Sequence, residues 1–124
     1  MGRYYWGDIE GKFWFAVQPS YAADQFGYEG IYNEHKGTLE YYFTEEHALA
    51  VRERLRYLKK TLGDYIEKFE NFFKANSGYN DDMLKDQIDA KAKYMLPLYA
   101  DYLLGLKIKK AIKKFGECYF EAEC

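Results

Sequence analysis

Thr44-Glu45-Glu46-His47-Ala48-Leu49-Ala50-Val51-Arg52-Glu53-Arg54-Leu55-Arg56-Tyr57-Leu58 is where the chain changes its period. Thr44 followed by two glutamates reads as a helix N-cap with acidic residues in the first turn, where the helix dipole favours them. From there Ala48, Val51, Leu55, Leu58, Leu62, Tyr65, Phe69 and Phe72 recur at alternating spacings of three and four, one apolar stripe of a helix. Gly63 lies off the stripe and costs about 1 kcal/mol relative to Ala, so it is expected to bend the helix without ending it. About thirty residues at ~1.5 Å rise make a rod of about 45 Å. A compact chain of this length has a radius of gyration near 14 Å, so the rod needs a partner along its length.

The next segment supplies one. Asn76-Ser77-Gly78-Tyr79-Asn80 is a break, and Asn80 can cap a helix that starts at Asp81-Asp82. Leu84, Ile88, Ala92, Met95, Tyr99, Tyr102 and Leu106 keep helical spacing, and Ile108, Ile112 and Phe115 continue it to Gly116. Pro97 removes one backbone donor and predicts a kink. Glu117 to Cys124 then alternates strictly, with Cys118, Phe120, Ala122 and Cys124 on one face, which predicts a last strand.

Upstream of Thr44 the chain is built differently. Residues 1–43 hold most of the glycines and over half of the 14 Tyr, 9 Phe and 2 Trp. Aromatic runs punctuated by Gly predict strands, here at 3–7, 12–18, 28–33 and 39–43. Gly7-Asp8-Ile9-Glu10-Gly11 is the connection of a first hairpin, and Tyr21 to Phe26 a short helix closed by Gly27. The fold class that follows is α+β, in one domain over 1–124. Residues 1–43 and 117–124 form a small, mostly antiparallel sheet, packed on a long antiparallel helical hairpin over 44–115.

Composition narrows the function classes. Eighteen Lys and Arg against 20 Asp and Glu leave a net charge of −2, which argues against general DNA binding. No apolar run approaches the ~18 residues that span a bilayer, and no secretory leader is recognisable, so no membrane association is expected. The two cysteines, Cys118 and Cys124, crowd into the last seven residues, the opposite of a disulfide scaffold. They fit a reducing, cytoplasmic setting. Neither His35 nor His47 has partners at metal-ligand spacing, and no nucleophile–base motif or phosphate loop is present. No cofactor, metal or catalytic residue is therefore assigned. Asp8 with Glu10 reads as a solvated turn pair.

The sheet faces say more. Strand alternation sets Phe13, Phe15 and Val17 against Lys12, Trp14, Ala16 and Gln18, and Leu39, Tyr41 and Phe43 against Glu40 and Tyr42. One face is a plain core. The other would carry Trp14, Tyr42, Tyr119 and one of Tyr4 and Tyr5, taken as Tyr5, mixed with Lys12, Gln18, Glu40 and Glu121. Three readings compete for it: a protein or self interface, a nucleotide-stacking platform with Arg3 and Lys12 near phosphates, and a small sheet whose tyrosines merely reach water at its edges. Arg52 to Lys60 and Lys107 to Lys114 each bring five cations, and antiparallel helices would gather them beside the sheet. Arg52, Arg56, Lys110 and Lys114 are the residues expected to meet an acidic or phosphate-bearing partner.

Arg3-Tyr4-Tyr5-Trp6-Gly7-Asp8-Ile9-Glu10-Gly11-Lys12-Phe13-Trp14-Phe15-Ala16-Val17-Gln18 resembles the opening of small uncharacterised proteins encoded by phages and large DNA viruses. The likeness covers at most the first 27 residues. It implies a viral accessory factor in the host cytoplasm that binds and inhibits a host protein. The expectation is thus a non-enzymatic binding protein with a protein partner or a second copy as a homodimer, the alternative being a nucleotide-binding module that sequesters a phosphate-bearing signal.

Overall fold

The computed structural model describes residues 3–14 and 17–124. Its elements are β1 (Tyr4–Gly7), β2 (Gly11–Lys12), a 3-10 helix (Ala22–Phe26), β3 (Ile31–Asn33), β4 (Thr38–Thr44), a 3-10 turn (Glu45–His47), α1 (Ala48–Leu62), α2 (Tyr65–Ala75), α3 (Asp81–Gln87), α4 (Ala92–Phe115) and β5 (Glu117–Glu123). The strands form one antiparallel sheet in the order β2-β1-β5-β4-β3. The fold is α+β, with the last strand inserted at the centre of the sheet, between β1 and β4.

Register explains the two faces. Tyr41 opposes Phe120, Phe43 opposes Cys118, and Tyr5 opposes Ala122, so these side chains share the inner face. Tyr41 and Phe120 stack at 4.9 Å between ring centroids, and the buried set closes against Phe26, Val51, Leu58 and Ile108. Gly105 permits a close approach of the helix to the core: a Cβ there would lie 2.5 Å from the Phe26 ring. A second apolar cluster, built on Leu62, Phe69, Phe72, Leu84, Leu96 and Tyr99, sits among the helices, with Trp14 and Tyr79 packed against it. α4 runs through both clusters.

The helical region departs from the expected hairpin in two places. Thr44 does act as a cap, but of the 3-10 turn Glu45–His47 that leads into α1, its backbone N–H donating to His47 Nδ1 at 2.9 Å and its hydroxyl accepting from Glu46 N–H. The helix then ends at Leu62, because Gly63 takes φ +52°, a conformation only glycine adopts readily, and α2 starts afresh at Tyr65. The expected bend is a break. The second helix is also two: Asn80 caps α3 as expected, through Met83 N–H at 2.8 Å, but α3 stops at Gln87. Asp89 Oδ1 accepts the Lys91 N–H at 2.9 Å, an Asx turn that opens α4. α4 continues unbroken through Pro97. The carbonyl that Pro97 cannot serve belongs to Lys93, an exposed residue.

The expected strand at 12–18 stops at Lys12. Phe15 and Ala16 lie outside the described residues. Trp14 and Gln18 belong to a turn in which Val17 and Gln18 N–H groups both donate to the Trp14 carbonyl. The aromatic run is divided between the two clusters, Phe13 packing on Tyr5 at 5.0 Å and Trp14 on Phe73 at 5.2 Å. Tertiary burial overrides the strand propensity of the run.

Candidate functional site: the outer sheet face and the groove between α1 and α4

The outer face of the sheet carries Tyr4 and Trp6 from β1, Ile31 from β3, Tyr42 from β4 and Tyr119 from β5. All five side chains are exposed, from 37% for Tyr119 to 58% for Ile31. The pairing places them in rows: Tyr42 opposite Tyr119, and Trp6, Glu121, Glu40 and Ile31 in line across four strands. No helix lies over them among the described residues.

Carboxylates occupy the spaces between the rings. Glu40 and Glu121 are direct cross-strand partners, a like-charge pair that costs stability unless something answers it. Glu121 is nearly buried and is answered by Lys36 Nζ at 3.3 Å and the Thr38 hydroxyl at 3.2 Å. Glu40 accepts the Tyr119 hydroxyl at 3.3 Å. The partial burial of Tyr119 and the two neighbouring glutamates hold its phenol above the ordinary tyrosine range, so it stays protonated as the donor. The Lys36 ammonium is likewise held above its ordinary value by Glu121. Glu123 accepts the Tyr4 N–H at 3.2 Å, and Glu117 ends the row opposite Thr44. This surface is aromatic and acidic at once.

Of the residues expected here, Tyr42, Tyr119 and Lys12 are in place, with Lys12 Nζ 5.8 Å from the Tyr4 ring. Four are not. Tyr5 is a core residue whose hydroxyl accepts from Lys107 Nζ at 2.8 Å, so Tyr4 is the member of the pair that faces out. Trp14 is half-buried among Phe73, Tyr79 and Tyr99. Gln18 is buried, joining the Trp14 N–H to the Asp101 carboxylate at 3.2 Å each. Burial raises the Asp101 carboxyl above its usual range. Arg3 pins the same loop, donating to the Ser20 hydroxyl at 2.7 Å and to the Gln18 carbonyl. Sequence reasoning missed Trp6. The signal was the alternation Tyr4-Tyr5-Trp6 itself, which puts Trp6 on the face of Tyr4 and opposite Tyr5.

The cationic clusters also sort differently. Arg52 and Arg56 on α1 meet Lys109 and Lys113 on α4 across one groove, with Lys59 at its far end. Lys110 and Lys114 turn the other way, towards Asp8, Ile9 and Glu10 of the β1–β2 connection. Helical periodicity divides the lysines of α4, which the crowding of five cations between Lys107 and Lys114 conceals in the sequence. Asp8 is structural: its carboxylate accepts the Tyr119 N–H at 2.8 Å. Cys118 is buried, its thiol pushed up to about 12 mainly by that burial, whereas Cys124 is exposed. Among the described residues no group of three or more His, Cys, Asp or Glu is placed to hold a metal ion. No described helix is long and apolar enough to cross a membrane.

No family model, no curated protein and no solved structure matches this chain.

Proposed function

We propose that this chain is a binding protein that engages a cationic protein surface through the outer face of its sheet. The observation that carries the reading is the set of exposed rings, Tyr4, Trp6, Tyr42 and Tyr119, held in fixed rows by strand pairing and interleaved with Glu40, Glu117, Glu121 and Glu123. Trp and Tyr are the residue types that dominate interface energetics, and a rigid sheet presents them at little entropic cost. Carboxylates beside rings suit guanidinium groups, which stack on aromatic faces and ion-pair in the same plane.

The charge pattern also selects against other occupants. Two copies packed like on like would bring eight glutamates together against the Lys12 and Lys36 of each copy, so a homodimer through this face is disfavoured. A nucleotide would meet carboxylates where it needs donors, and Arg3, Tyr5 and Gln18, expected to help a stacking platform, are spent inside the chain. With the viral resemblance of the N-terminal segment, the partner would be a host protein in the cytoplasm, inhibited by occlusion of a basic surface.

The test is affinity capture from lysate with three baits: the native chain, the variant Trp6→Ala/Tyr119→Ala, and the groove variant Arg56→Glu. A basic protein held by the first and third baits and lost from the second is expected, since removing two anchors costs about 2 kcal/mol or more each. Identical capture by all three would contradict the reading.

A further inference from the structure

The groove between α1 and α4 is a second surface, unlike the first in charge. Its α1 bank carries Arg52, Arg56 and Lys59 at spacings of four and three, and its α4 bank carries Lys109 and Lys113. Two adjoining hollows of about 390 and 300 Å³ share Arg52 and Lys109, so the groove is continuous. Among the described residues the one ion pair within 4 Å is Lys36 with Glu121, so none of these five cations is matched by a carboxylate at that range. Glu45, at the α1 start, is the single acid lining the groove. The floor is apolar: Val51, Leu55 and Ile112 are buried and Leu106 is exposed at 37%. In a chain of net charge −2, five unpaired cations around an apolar strip are a marked local excess.

We infer that this groove docks an acidic amphipathic helix of a partner protein. The dimensions match: Ala48 to Lys59 is twelve residues, which at ~1.5 Å per step reach about 16 Å, or three helical turns. A helix with apolar residues at i, i+3/i+4 and i+7 would lay them on the floor, with its acidic flanks against both cationic banks. A compact phosphate fits less well. The cations are spread along two rows instead of converging on a point, and the walls are helix sides, whose backbone N–H groups are already spent inside the helices. This site stands apart from the outer sheet face, and either can fail without the other.

The experiment is fluorescence anisotropy with a labelled peptide of about sixteen residues, Leu at helical 3-4 spacing and Glu on both flanks. The expected result is micromolar binding. It should weaken about tenfold or more in Arg56→Glu/Lys109→Glu and severalfold in Leu106→Ala, with melting temperatures unchanged because all three side chains are exposed. Four results would overturn the inference. One is no binding, and another is equal binding of a permuted peptide that lacks the helical period. The third is displacement of the peptide by inorganic triphosphate at constant ionic strength, which would make this a phosphate site. The last is binding of a labelled copy of the chain itself that blocks the peptide.

Discussion

At the scale of single residues, the outer face owes its character to choices of side chain that alternation alone exposes. Trp6 and Tyr4 face outward because Tyr5 faces in, and Tyr5 faces in because its ring meets Phe13 and Phe120 while its hydroxyl keeps a partner in Lys107. A residue-by-residue reading of the β4 and β5 sequences finds the same alternation for Tyr42 and Tyr119, and these were legible in advance. Gly105 was not. Its spacing in α4 is unremarkable in the sequence, and only the packing of Phe26 against it shows why a side chain is excluded. In Gly105→Ala, the gain of helix propensity, about 1 kcal/mol, is opposed by a Cβ 2.5 Å from a fully buried ring. Overpacking of that kind costs about 1–3 kcal/mol. The variant is expected to melt several degrees below the native chain in calorimetry; a higher melting temperature would show that the Phe26 contact yields easily.

At the scale of elements, periodicity found the helical region and missed its divisions. The stripe from Ala48 to Phe72 keeps its spacing across Gly63 because α1 and α2 both bury their stripes, α1 mainly against α4 in the cluster shared with the sheet and α2 in the cluster among the helices. A break between two amphipathic helices need not disturb the pattern, so only the glycine hinted at it. The Asp89 turn between α3 and α4 was hidden in the same way, inside an apolar pattern that runs on from Leu84 to Ile88 and Ala92. The segment 12–18 failed for the opposite reason: its strand-like composition is real, but Phe13 and Trp14 serve different clusters. The two tryptophans should therefore behave differently. Trp14→Ala is expected to lose about 2 kcal/mol or more in urea unfolding, as a large truncation in a packed cluster does. Trp6→Ala, on an uncovered face, should change stability by no more than about 0.5 kcal/mol. Equal losses would mean that something covers Trp6.

At the scale of the whole molecule, charge is segregated although the total is near balance. Acidic groups and rings share the outer sheet face, and cations line the groove between α1 and α4. Net charge and composition, read along the sequence, average this polarity away; the sheet order and the meeting of α1 with α4 create it. Such a molecule suits two oppositely charged contacts better than one, and salt should weaken both. The most direct test of an open, ring-bearing sheet face is hydroxyl-radical footprinting of the isolated chain over a series of dilutions. Trp6, Tyr42 and Tyr119 should be oxidised rapidly at every concentration, while Tyr41, Phe43 and Phe120 stay protected. Protection of Trp6, Tyr42 and Tyr119 to the same degree as the buried rings, down to the lowest concentration, would contradict it.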